Sequence, residues 1–233
     1  MRLIGLLFIV AISILSGCSY QTQSENFVVW DNSHFSVFGI ENFRDFVTIL
    51  GSHGLGVKTS NNLKDLQGKC LIIAGSTSTY TEDEIEEILG YVRNGGKLLV
   101  MIHIPPEINL DPLLTGFGFN ISSRILLNED GNTSVVVNSF EESIITQGLN
   151  RVIFFGCYYT DNAIASCECF ADMDGDKVPD AEEKGVFGVI GYKKFGKGEV
   201  VVITDDAVLM DGLIDHADNK KLAENIALWI QFS

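Results

Sequence analysis

Two apolar runs, Leu71-Ile72-Ile73-Ala74 and Lys97-Leu98-Leu99-Val100-Met101-Ile102, enclose a segment of helical periodicity, and this arrangement constrains the fold most. Thr81 and Glu84 have capping-box spacing, Ile85, Ile88, Leu89 and Val92 form one apolar stripe, and Gly95-Gly96 ends the pattern. A strand that is apolar at every position must be covered on both faces. Such strands alternating with amphipathic helices define a parallel sheet with helices on either side. Phe27-Val28-Val29-Trp30 reads as a buried first strand, Phe43, Phe46, Val47 and Leu50 recur at helical spacing, and a short strand follows near Val57.

Beyond the first hundred residues the pattern changes. Apolar runs at Ser134 to Val137, Val152 to Tyr159 and Phe187 to Tyr192 are separated by turns, and Phe195-Gly196-Lys197-Gly198 reads as a hairpin turn into Val200-Val201-Val202-Ile203. A last helix carries Leu222, Ile226 and Trp229 on one face. The expected fold is therefore α/β. It has a mostly parallel sheet flanked by helices and a β-rich insertion in the C-terminal half.

The first residues follow a different logic. Leu3 to Leu15 is an apolar run of thirteen residues behind Arg2, whereas a bilayer-spanning helix needs roughly twenty. It ends in Leu15-Ser16-Gly17-Cys18, which resembles the lipobox of prokaryotic lipoproteins; an uncleaved anchor or ordinary secretion is the alternative. The reading divides the chain into a signal peptide (1–17), a polar tether (18–26) and one domain (27–233), with Cys18 lipidated on the extracytoplasmic face of a cell membrane. Removing residues 1–17 leaves 15 basic and 31 acidic side chains, a formal charge of −16. Such a surface repels nucleic acid and suits solubility or cations.

The stretch Leu71 to Met101 resembles a family of domains of unknown function in the class I glutamine-amidotransferase-like superfamily. So do Tyr192 to Asp206, the link Asp218-Asn219 and a final helix bearing Asn225 and Trp229. The resemblance spans roughly residues 27–232. Amidotransferases of that superfamily carry a glycine-flanked cysteine on a sharp turn after a core strand, with a later histidine and acid. Here the strand ending at Ile102 runs into His103-Ile104-Pro105-Pro106. The resemblance thus implies a flavodoxin-like or amidotransferase-like fold without glutamine hydrolysis; the function expected for the domain is binding of a protein partner or small ligand.

In doubly wound sheets, ligands sit at the carboxyl ends of the strands. That rule gathers Asp31, Ser33, His34, Ser76, Thr77, His103, Asp205 and Asp206 on one rim. Carboxylates beside imidazoles can act as general acid and base or hold a metal, so an extracytoplasmic hydrolase is the competing function. Polar loop ends that only cap and face water are the plainer explanation.

Residues 172–183 carry the sharper signal. Oxygen ligands at loop positions 1, 3, 5, 7, 9 and 12 suit calcium, and the register assigns Asp172, Asp174, Asp176, the Val178 carbonyl, Asp180 and Glu183. The loop looks like those of thrombospondin type 3 and dockerin repeats. It departs from them at position 6, where Lys177 replaces the glycine of a left-handed turn; a solvated acidic turn is the alternative. Of the remaining cysteines, Cys70, Cys157, Cys167 and Cys169, a turn near Asp161-Asn162 allows a Cys157–Cys167 bridge, with buried free thiols as the other outcome. Cys167 and Cys169 point the same way along a strand, which argues against pairing with each other.

Overall fold

A computed structural model describes residues 26–104 and 110–232. In chain order the elements are β1 (Phe27–Asp31), α1 (Arg44–Ser52), β2 (Gly56–Ser60), β3 (Cys70–Ala74), α2 (Glu82–Arg93), β4 (Lys97–Met101), α3 (Asp111–Gly116) and β5 (Leu126–Leu127). They continue with β6 (Val135–Val137), β7 (Ser139–Phe140), β8 (Val152–Phe154), β9 (Ala163–Ala171), β10 (Lys184–Phe195), β11 (Gly198–Ile203) and α4 (Asn219–Gln231). The main sheet runs β2-β1-β3-β4-β11-β10-β9-β5, with β7 also on β9, and β6 and β8 form a separate pair. From β2 to β11 every pairing is parallel; from β11 to β5 every pairing is antiparallel.

Side-chain alternation explains why the parallel strands read as unbroken apolar runs. Val28 and Trp30, Ile72 and Ala74, and Leu99 and Met101 enter one core with α1 and α4. Their neighbours Val29, Leu71, Ile73, Leu98 and Val100 enter the other, with α2 and α3. Burial on both faces leaves no polar positions to mark the alternation. The capping box also forms: the Thr81 hydroxyl accepts from Glu84 N, and Glu84 Oε2 accepts from Thr81 N at 2.9 Å.

The expected β-rich segment lies in the chain between the parallel neighbours β4 and β11. It continues the same sheet through the β10–β11 hairpin, which pairs Phe195 with Gly198 and Ile190 with Ile203. The expected run from Val152 to Tyr159 pairs only as far as Phe154. There the Asp205 carboxylate captures the next amide, accepting from Phe155 N at 2.6 Å.

The C-terminal helix is tied down by lysines. Lys97 Nζ, in the protein interior, donates to the carbonyls of Trp229 and Phe232 and lies 3.6 Å from Glu199. Lys69 donates to the Gln231 carbonyl at 2.9 Å. Positive groups at the last turn satisfy carbonyls that the helix leaves unpaired. None of the described helices is long and apolar enough to cross a membrane.

Candidate functional site

Because β1, β3, β4 and β11 are parallel, their carboxyl ends share one edge. Asp31, Ser76, His103 and Asp205 follow in that order along it. The edge carries two separate clusters.

The first is built on Asp31 at the end of β1. Its Oδ2 accepts from Tyr80 OH at 2.6 Å and lies 3.0 Å from His34 Nδ1, while Oδ1 accepts from the backbone and hydroxyl of Ser33. The His34 ring stacks on Tyr80 at 3.7 Å, and its Nε2 lies 3.5 Å from Glu84. Tyr80 and Glu84 escaped the sequence reading as site residues. Glu84 was visible only as a helix cap, although its place beside a strand-end histidine follows from the crossover. Burial, then the Asp31 charge, holds the Tyr80 hydroxyl protonated well above its ordinary range.

The second cluster joins β4 to β11. His103 Nδ1 lies 3.0 Å from Asp206 Oδ1. The hydrogen bond to Asp206 raises the imidazole pKa, and burial raises that of Asp206. Asp206 Oδ2 is buried and has no hydrogen-bond partner among the described residues. It is housed by Gly75, whose φ of +58° suits glycine and where a Cβ would come within 2.5 Å of that oxygen. Asp205 is 1% exposed, and burial pushes its carboxyl up to about 8 despite bonds from Phe155 N and Ala207 N. Between the clusters runs the segment after His34: Val37 N donates to the Gly75 carbonyl, and Phe38 meets the His103 ring edge-on at 5.2 Å. All eight expected rim residues stand at or just after the carboxyl ends of β1, β3, β4 and β11, with His34 joined to Asp31 and His103 to Asp206.

The acidic loop lies outside the sheet, between β9 and β10. One carboxylate oxygen from each of Asp172, Asp174 and Asp176 falls within 4.8 Å of the others. Asp172 Oδ1 accepts from Gly175 N, Asp174 Oδ1 from Asp176 N and Asp176 Oδ1 from Val178 N, which curls the chain around the three carboxylates. Lys177 has φ +62°, the left-handed backbone expected at the sixth position. Glu183 is buried and holds the loop backbone, accepting from Met173 N at 2.6 Å and Asp180 N at 3.4 Å. It therefore stands apart from the aspartate triplet. Slight desolvation, then the charges of Glu183, Asp176 and Asp174, raise the Asp180 pKa. Arg124 anchors the loop through the Met173 carbonyl at 2.9 Å.

All four described cysteines are free thiols. The Cys157–Cys167 bridge is not formed: Cys167 and Cys169 share one face of β9, and that geometry brings their sulfurs to 3.0 Å. Cys18 and the rest of the anchor lie outside the described residues.

Fold and site define an α/β domain with a mixed sheet and a charged strand-end rim. The chain belongs to the family described as Domain of unknown function (DUF4350), which it matches over residues 43–227. No curated protein matches it. Among solved structures it is similar to "mmIFT52 N-terminal domain", with TM-score 0.69 and 15% identity over 88% of this chain and 98% of that one. A putative ThuA-like protein from Bacteroides uniformis aligns with TM-score 0.53 and 13% identity over 89% and 92% of the two chains. The β-galactosidase from Rahnella sp. R3 aligns with TM-score 0.54 and 16% identity over 87% of this chain but 30% of the enzyme. At these identities the likeness concerns the fold.

Proposed function

We propose that this chain is an extracytoplasmic lipoprotein, held to the membrane through Cys18, whose amidotransferase-like domain binds calcium at residues 172–183 and a protein or small ligand at the rim, without catalysis. The observation that carries the calcium reading is the convergence of Asp172, Asp174 and Asp176 together with a left-handed Lys177. Adopting that backbone costs a non-glycine residue roughly 1 kcal/mol, and three carboxylates brought within 4.8 Å repel one another. A cation with a preference for oxygen offsets both. Asp172, Asp174, Asp176 and the Val178 carbonyl would hold it, joined by Asp180 and by Glu183 after release of its backbone bonds.

Calorimetry on the metal-free protein tests this reading. Calcium should bind with measurable heat and raise the melting temperature, and Asp172→Ala with Glu183→Ala should abolish both. At a hundred times Kd the gain is about 2.7 kcal/mol. Magnesium should substitute poorly, since it demands a smaller octahedral shell. Absence of both heat and thermal shift would reduce the loop to an acidic turn. For the anchor, Cys18→Ser should release the protein from membranes or block its processing; retention with normal processing sinks the lipid.

The reading without glutamine hydrolysis is supported by where the described thiols stand: Cys70 opens β3 at the far end of the strand, and Cys157, Cys167 and Cys169 are buried in the core. Glutaminase activity lost on replacing any of these cysteines would overturn it. The competing hydrolase draws on His103 paired with Asp206; a hydrolytic activity abolished by His103→Asn with the fold intact would favour it.

A further inference from the structure

Cys167 and Cys169 are the first and third residues of a Cys-Glu-Cys sequence on β9, and both side chains are buried on the same face. Their sulfurs are 3.0 Å apart, so they need to close by only about 1 Å to reach the roughly 2.05 Å of a disulfide. Two residues of extended strand span about 6.6 Å, inside the Cα separation that a disulfide bridges. We propose that Cys167 and Cys169 form a redox-active dithiol that a small organic disulfide oxidises to an intrastrand bridge.

The edge of β9 supplies a route for the oxidant. β7 pairs with Ala165 and Ser166, and β5 pairs with Phe170 and Ala171, so Cys167-Glu168-Cys169 falls in the gap between two two-residue strands. Edge strands this short open at much lower cost than the whole domain. Once exposed, one thiolate attacks a sulfur of the donor RSSR and expels RS⁻, leaving a mixed disulfide. The second cysteine thiolate then attacks the protein-side sulfur of that mixed disulfide and expels the other RS⁻. The two cysteine protons end on the two RSH products; the protein loses two protons and two electrons, and the donor gains them. In the closed strand the thiol–thiol contact and burial hold Cys169 protonated above its ordinary range, so the reaction should quicken with pH and with local opening.

Cys157 is the competing partner, but the three sulfurs do not form a metal-holding group: among the described residues only the aspartate triplet brings three such ligand atoms within 4.8 Å. A ring closed between residues two apart restricts the unfolded chain less than any longer loop. The bridge would therefore report redox conditions and add little stability. The exported location supplies an oxidising setting, while the chemistry itself can be examined on purified protein wherever the chain resides.

The test uses the full reduced chain, folded by circular dichroism, incubated with oxidised glutathione, quenched in acid, denatured and alkylated with N-ethylmaleimide. Cleavage before Asp161 and Asp172 releases residues 161–171, which contain Cys167 and Cys169 and no other cysteine. The expected product is this peptide lighter by two hydrogens, carrying neither alkyl group nor glutathione, with Cys70 and Cys157 alkylated. Cys157→Ser should leave the product unchanged, and Cys169→Ser should stop at a glutathione adduct on Cys167. A bridge to Cys157, complete alkylation of the pair, or a bridge formed only after denaturation would overturn the proposal.

Discussion

On the strand-end rim, buried carboxylates face partners: Asp31 meets Tyr80, Ser33 and His34, Asp206 meets His103, and Asp205 receives two backbone amides. In the acidic loop, Asp172, Asp174 and Asp176 are gathered with only local backbone amides between them. The rim sits where parallel strands end inside the core, so a carboxylate there must be neutralised from within or take up a proton. The loop sits in water, where like charges are tolerated and an outside cation can join them. One region is thus completed by the protein except at Asp206 Oδ2, which is buried without a hydrogen-bond partner among the described residues, and the other is proposed to be completed by its medium.

The largest effect that sharpens this contrast should come from Lys97→Met. It removes the donor to two helix-end carbonyls and one partner of the partly exposed Glu199, and leaving a buried acceptor without its donor costs about 1 to 3 kcal/mol. Urea denaturation should show that loss with and without calcium. A deficit that calcium erased would break the division between the regions.

Next comes pH. The Asp205 carboxyl is pushed up to about 8, against roughly 3.9 in an unfolded chain. The folded state holds this proton more tightly, so the group's contribution is fully present below about pH 4 and is lost as pH rises through about 8. Stability in calcium-free buffer should fall over that window, and Asp205→Asn should flatten the fall while costing stability at low pH through a disturbed amide bond. An unchanged slope in the variant would mean that Asp205 ionises freely.

Thr81→Ala removes the α2 cap and should cost about 1 kcal/mol, read as a lower urea midpoint with unchanged calcium affinity. The smallest effect belongs to Lys177→Gly, which relieves the left-handed backbone and should tighten calcium binding by up to about 1 kcal/mol. Lys177→Ala removes the charge but keeps the strain. An equal gain in both variants would assign the benefit to electrostatics.

Much of the parallel half was legible from local patterns. The runs Leu71 to Ala74 and Lys97 to Ile102, the cap at Thr81 and the stripe of Ile88, Leu89 and Val92 are short-range signals, and each appears in the fold. The gathering of Asp172, Asp174 and Asp176 was legible for a similar reason: the alternating aspartates are written within five residues.

Tertiary structure decided what depends on distant partners. Val152 to Tyr159 is apolar throughout, yet its pairing stops at Phe154 because Asp205, fifty residues on, takes the next amide. Tyr80 and Glu84 belong to the rim only because the β3–α2 crossover returns beside His34. That Cys167 and Cys169 share one face of β9 followed from their spacing, but the 3.0 Å approach of their sulfurs did not. Local hydrogen bonding and side-chain periodicity act over a few residues and can be read along the chain, whereas the burial and charge pairing that complete the rim arise between segments brought together by folding.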